Sequence, residues 1–199
     1  MTVTRHRLAA SERRAAVLDT ACRVFSKGSY RGTTTAEIAR EAGVSEPILY
    51  RHFASKRELY LACLDEVWRR VRAIWEAALA SEPEGAESLS AMSRALHASK
   101  EKLLLSSLWV QALSEASEDP EIRNYMRKHL RDVHDFVTGV IRRAQASGGM
   151  ASDRDAVAEA WIFIAIGLLG AIGQRLGGLA DADVERIRAS RRRWLTGSA

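Results

Sequence analysis

Residues 33–59 read TTTAEIAREAGVSEPILYRHFASKREL, and the placement of caps, glycine and proline in this stretch decides the fold. Thr34 followed three residues later by Glu37 is a capping box, which predicts a helix that starts there and stops at Gly43. Ser45 is suited to cap a third, very short helix, with Pro47 tolerated in its first turn because no intrahelical amide bond is lost there. Ser55 with Glu58 makes a second capping box, opening a long helix through Leu59, Cys63, Val67, Val71 and Ile74 to about Ala80. A helix-turn-helix needs a small residue where its helices approach and a turn residue that tolerates a left-handed backbone. Ala39 and Gly43 supply these, with Val44 and Leu49 as apolar anchors.

Upstream, Ser11–Lys27 places Leu18, Ala21, Cys22 and Phe25 on one stripe, and Gly28 follows as a stop. Charge singles out the same region. Residues 1–60 hold 11 Lys+Arg and 6 Asp+Glu, a net of +5, while residues 61–199 hold 19 of each. The whole formal excess of the 199-residue chain therefore sits in its first third, as suits a polyanionic partner whose condensed counterions are released on binding. Cys22 and Cys63 both fall in apolar helical patterns and read as small buried hydrophobes of a reducing compartment. Arg5 and Arg7 near the start precede no apolar run, so a secretory signal is not expected. The longest uncharged apolar stretch, Ala160–Gly173, has 14 residues and is expected to be too short to cross a bilayer. The expected location is cytoplasmic, without a membrane partner.

The stretch quoted above closely resembles the tetracycline-repressor (TetR) family, and the resemblance extends over about residues 10–62. It implies a homodimeric repressor that binds double-stranded operator DNA, an unknown small-molecule effector held in the second domain, and dimerisation through the last two long helices. Carried over by position, it assigns phosphate contacts to Thr35, to Tyr50 and His52, and to Lys56, and places Thr34 among the DNA-binding residues. Base reading falls to Ser45, Glu46, Pro47 and Arg51. The side-chain chemistry agrees, since hydroxyls and a lysine position a protein on the backbone whereas arginine can bind guanine bidentately. Glu46 and Pro47 stand where the family often has Lys, Gly or Thr; a carboxylate suits a cytosine amine better than a phosphate. Phe53, on the Leu49 side of its helix, reads as core.

The fold class expected is all-α with about nine helices, divided into a helix-turn-helix domain over 1–58 and a helical effector-binding and dimerisation domain over 59–199. Beyond the Glu82-Pro83-Glu84-Gly85 break, helices are predicted near 86–98, 100–117, 120–147, 153–177 and 182–195. Large side chains in this body make Trp75, Met92, Trp109, Met126, Phe136 and Trp161 candidates for an effector pocket. Gly167, Gly170, Ala171 and Gln174, with Trp161, Ile164 and Leu168, are candidates for a dimer interface, because glycine lowers helix propensity and its repetition calls for a packing reason. His97, His129 and His134 share no i, i+4 face, and Asp132 and Asp135 complete no metal-ligand pattern, so neither a metal nor a cofactor is expected. A helical enzyme would need convergent acid, base or metal groups, and an adaptor would explain the helices alone; a DNA-binding regulator explains motif and charge together.

Overall fold

The computed structural model describes residues 10–81, 85, 87–179 and 181–197. Among them are nine helices and no strand: α1 (Ala10–Lys27), α2 (Thr35–Glu41), α3 (Glu46–His52), α4 (Lys56–Ser81), α5 (Ser88–Ala98), α6 (Glu101–Glu115), α7 (Pro120–Ala146), α8 (Ala156–Arg175) and α9 (Asp181–Thr196). The chain forms two compact units that divide after Val67, nine residues beyond the boundary expected at 58. The reason is that the first turns of α4 add Leu59, Tyr60, Cys63 and Leu64 to the buried core of the first unit.

In that unit α1 contributes Val17, Leu18, Ala21, Cys22 and Phe25, and these close over Ile38 and Ala39 of α2 and Leu49 of α3. Phe53 is fully buried beside them, and the guanidinium of Arg14 lies 4.6 Å from its ring centroid. Burial of each Val, Leu, Ile or Phe side chain among them contributes about 1.5–3 kcal/mol. Both thiols are inside, Cys22 Sγ directed at the Cys63 carbonyl and Cys63 Sγ at that of Leu18, each at 3.9 Å. Phe25, Tyr30 and Tyr60 form an aromatic cluster, the Phe25 and Tyr60 rings meeting edge to face at 5.1 Å.

The second unit is organised on α7. Asp119 caps it by accepting from the amides of Glu121 and Ile122, Pro120 opens its first turn, and Ile122, Met126, His129, Val133, Val137, Val140, Ile141 and Ala144 recur on its buried face. An aromatic cluster packs there: Trp75 stacks on Phe136 at 5.9 Å, and Trp109 donates its indole hydrogen to His129 Nε2 at 3.0 Å. The helix predicted from 153 starts at Ala156, because the Asp155 carboxylate accepts from the amides of Val157 and Ala158.

One expectation needs correction. α8, 20 residues long with a mean hydropathy of 2.0, is long and apolar enough to cross a membrane by length and composition. The helix extends beyond the uncharged stretch because Glu159 is accommodated inside it, paired with Arg191 and accepting from the Trp194 indole. Only 33% of its apolar window is buried. Val157, Trp161, Ile162, Leu169 and Ile172 stand exposed along one side.

Candidate nucleic-acid interface

The turn between α2 and α3 depends on one backbone angle. Gly43 sits at φ +66°, in the left-handed region, while a Cβ there would meet no atom within 4 Å. The requirement is thus conformational and not steric. The Val44 amide then donates to the Ala39 carbonyl at 3.0 Å, and the chain enters α3.

Thr34 caps α2, its hydroxyl accepting from the Glu37 amide at 3.1 Å. Ser45 precedes α3 but makes no side-chain cap bond, contrary to the sequence reading; its carbonyl accepts from Ile48 and Leu49 instead, which leaves the exposed hydroxyl available. At α4 the Ser55 hydroxyl accepts from the Glu58 amide, and the Glu58 carboxylate reaches back to the Ala54 amide at 2.7 Å, one residue short of a reciprocal box.

Ser45, Pro47, Tyr50 and Arg51 are exposed on α3, and His52 is half-buried at its end. Glu46 and Thr35 behave differently. The Thr35 hydroxyl donates to Glu46 Oε1 at 2.5 Å and lies 3.1 Å from the Tyr50 hydroxyl, so three side chains from two helices are tied together. Thr35 is only 8% exposed. Lys56 donates to the Arg31 carbonyl at 3.3 Å, with its ammonium 4.8 Å from the Tyr30 ring centroid. Tyr30 was missed by sequence reasoning. Its place between Gly28 and Gly32 marks a loop, but nothing in that spacing announces a platform for a lysine 26 positions later.

The second unit contains a cleft of about 770 Å³. Of the six pocket candidates, Trp75 and Trp109 line it, with Phe163 beside them. Met92 and Met126 are sealed in the core, Phe136 lies in the aromatic cluster and borders a shallow groove with Arg72 and Glu76, and Trp161 is 40% exposed, stacked on His134 at 4.5 Å. Of the interface candidates, Ile164, Gly167, Leu168, Gly170 and Ala171 face this cleft, whereas Trp161 and Gln174 do not line it. A Cβ on Gly167 or Gly170 would meet nothing within 4 Å, so no helix of this chain rests on them. Gly173 is the exception, since a Cβ there would stand 2.2 Å from the Leu179 carbonyl oxygen. Among the described residues no group of three or more His, Cys, Asp or Glu is placed to hold a metal ion.

Residues 17–63 match the description of bacterial regulatory proteins of the tetR family, and residues 83–197 that of the C-terminal part of BetI-type transcriptional repressors. The chain is 32% identical over 168 residues to the HTH-type transcriptional regulator TtgR of Pseudomonas putida, covering 78% of this chain and 79% of that one. It is 51% identical over 59 residues to the HTH-type transcriptional activator FasR of Mycolicibacterium smegmatis, covering 30% of this chain and 27% of that one. Among solved structures, a regulator from Saccharomonospora viridis in complex with choline superposes with a TM-score of 0.75 at 25% identity, over 90% of this chain and 93% of the other.

Proposed function

Because the chain belongs to the TetR family of bacterial transcriptional regulators, we propose that it is a homodimeric cytoplasmic repressor, released from double-stranded operator DNA by a small molecule bound in its second unit. The observation that carries the DNA half of this reading is the exposed side of α3. Ser45, Pro47 and Arg51 face outward to read base edges, while Thr34, Tyr50, His52 and Lys56 hold phosphates. Glu46 and Thr35 set the angle of α3 through their mutual bond.

The effector half rests on the cleft of about 770 Å³, within the usual size of small-molecule sites. α4 carries Lys56 at its start and Trp75 in the cleft wall, so one helix takes part in both sites. A hundredfold loss of operator affinity requires the ligand to favour the released state by about 2.7 kcal/mol. A two-fold dimer is supported by the apolar side of α8, where Val157, Trp161, Leu169 and Ile172 lie outside the cleft and would otherwise face water.

The test is binding of the purified chain to DNA from upstream of its own gene across a salt series. A steep linear fall of log affinity with log salt and preference over scrambled DNA are expected. Weak binding with no sequence preference would overturn the reading.

A further inference from the structure

We infer that the cleft of the second unit selects an amphipathic organic anion, its apolar body against Trp75, Trp109 and Phe163 and its anionic head toward the arginines of α9. This rests on the cleft being the effector site proposed above and specifies the chemistry of what enters it.

Arg188, Arg191 and Arg192 recur at i, i+3 and i+4, so α9 presents three guanidinium groups on the side that borders the cleft. Arg94 of α5 and Lys102 of α6 add two further cations, against two acids, Glu159 and Glu185, among the described lining residues. Arg192 and Arg94 are also paired with Glu87, which lies outside the lining, and Lys102 Nζ stands 2.7 Å from His97 Nε2. Both lining acids are committed. Glu159 pairs with Arg191 through one oxygen and accepts the Trp194 indole hydrogen on the other, and Glu185 pairs with Arg188. With Glu87 counted, five cations stand against three acids among the described residues, each acid already paired, so a cationic head would meet an excess of like charge with no carboxylate at its disposal. An anionic head meets forks whose donors outnumber their acceptors: the buried Nε groups of Arg188 and Arg191 have no hydrogen-bond partner.

The cost of this arrangement is legible in Arg191, whose pKa is lowered by burial and by the nearby cation of Arg154. An arriving anion relieves that repulsion. The apolar end of the site is complementary, because Trp75 and Phe163 meet edge to face at 5.9 Å and the Leu168 and Ala171 side of α8 continues the wall. Such a division into an apolar floor and a few convergent polar groups is what fixes the orientation of a bound small molecule.

The experiment is calorimetric titration of the full chain with three probes of equal carbon-chain length, decanoate, decanol and decyltrimethylammonium, the two ions used below their micelle concentrations and decanol below its solubility limit. Decanoate is expected to bind at least about tenfold more tightly than decanol, and decyltrimethylammonium more weakly than both. The double variant Arg188→Gln with Lys102→Gln should lose the decanoate preference while its decanol affinity and helical circular dichroism stay unchanged. Equal affinities for decanoate and decanol, or a preference for the ammonium, overturn the anion assignment and leave the cleft as a ligand site. Failure of all three probes to bind a chain that still binds DNA overturns the effector reading of the cleft itself, and this inference with it.

Discussion

The Thr35 hydroxyl and the Glu46 carboxylate share a hydrogen bond of 2.5 Å that joins α2 to α3. The bond occupies one carboxylate oxygen of the acid on α3. Glu46→Gln, which can still accept from Thr35, is therefore expected to keep the ranking of operators carrying single base changes while raising affinity for all of them, since one repelling charge is gone. Loss of discrimination at one base pair, at a cost of about 1–3 kcal/mol, would instead make Glu46 a reader of cytosine. Fluorescence anisotropy over a panel of substituted operators separates the two.

The Lys56 ammonium is held by the Arg31 carbonyl and the Tyr30 ring, and the proposed reading makes it a phosphate contact. Lys56→Ala should weaken binding equally for every sequence and reduce the logarithmic salt slope by about 0.9 for each phosphate no longer neutralised. Tyr30→Leu, which removes only the platform, should lower affinity in the same sequence-independent way but by less. Salt titrations of the two variants check this.

Arg51, exposed in the last turn of α3, is expected to behave in the opposite manner. Arg51→Ala should relax preference at one base pair per half-site by about 1–3 kcal/mol and leave binding to other sequences close to its original level. Selection of bound fragments from a randomised library reads this directly.

Ile172 is 48% exposed on the apolar side of α8. If that side joins two copies, Ile172→Glu buries a charge against apolar surface and should convert a dimer to a monomer at micromolar concentration, as seen by light scattering. An unaltered dimer would move the interface elsewhere.

The glycines of α8 should separate by position. Gly173→Ala drives a Cβ toward the Leu179 carbonyl oxygen and is expected to cost about 1–3 kcal/mol, whereas Gly167→Ala, with open space around it, should stabilise the helix by about 1 kcal/mol. Urea denaturation midpoints give the two signs.

What could be read in the sequence was governed by distance along the chain. The caps at Thr34 and Ser55 and the turn at Gly43 were legible because a cap or turn is decided within about four residues. The bond from Thr35 to Glu46 crosses 11 positions and two helices, and no local pattern encodes it. The same holds in the second unit. Residue size nominated Met92 and Met126 as readily as Trp109, but only the packing of α5–α9 decides which faces a cleft and which is enclosed. The glycine strip was rightly singled out as unusual for a helix, yet periodicity cannot tell a face that meets a neighbour from one that borders empty space. The interval between the expected boundary and the division after Val67 has a similar origin, since α4 is one continuous helix whose core partners change along its length.

The two thiols of the first unit give it a clock. With Cys22 and Cys63 enclosed and turned toward backbone carbonyls, neither can meet a soluble alkylating reagent while the helices around them stay closed. Each labelling event then records one opening of the DNA-reading unit. Its rate in the presence of operator, compared with the rate without it, measures how strongly the nucleic acid holds that small core shut.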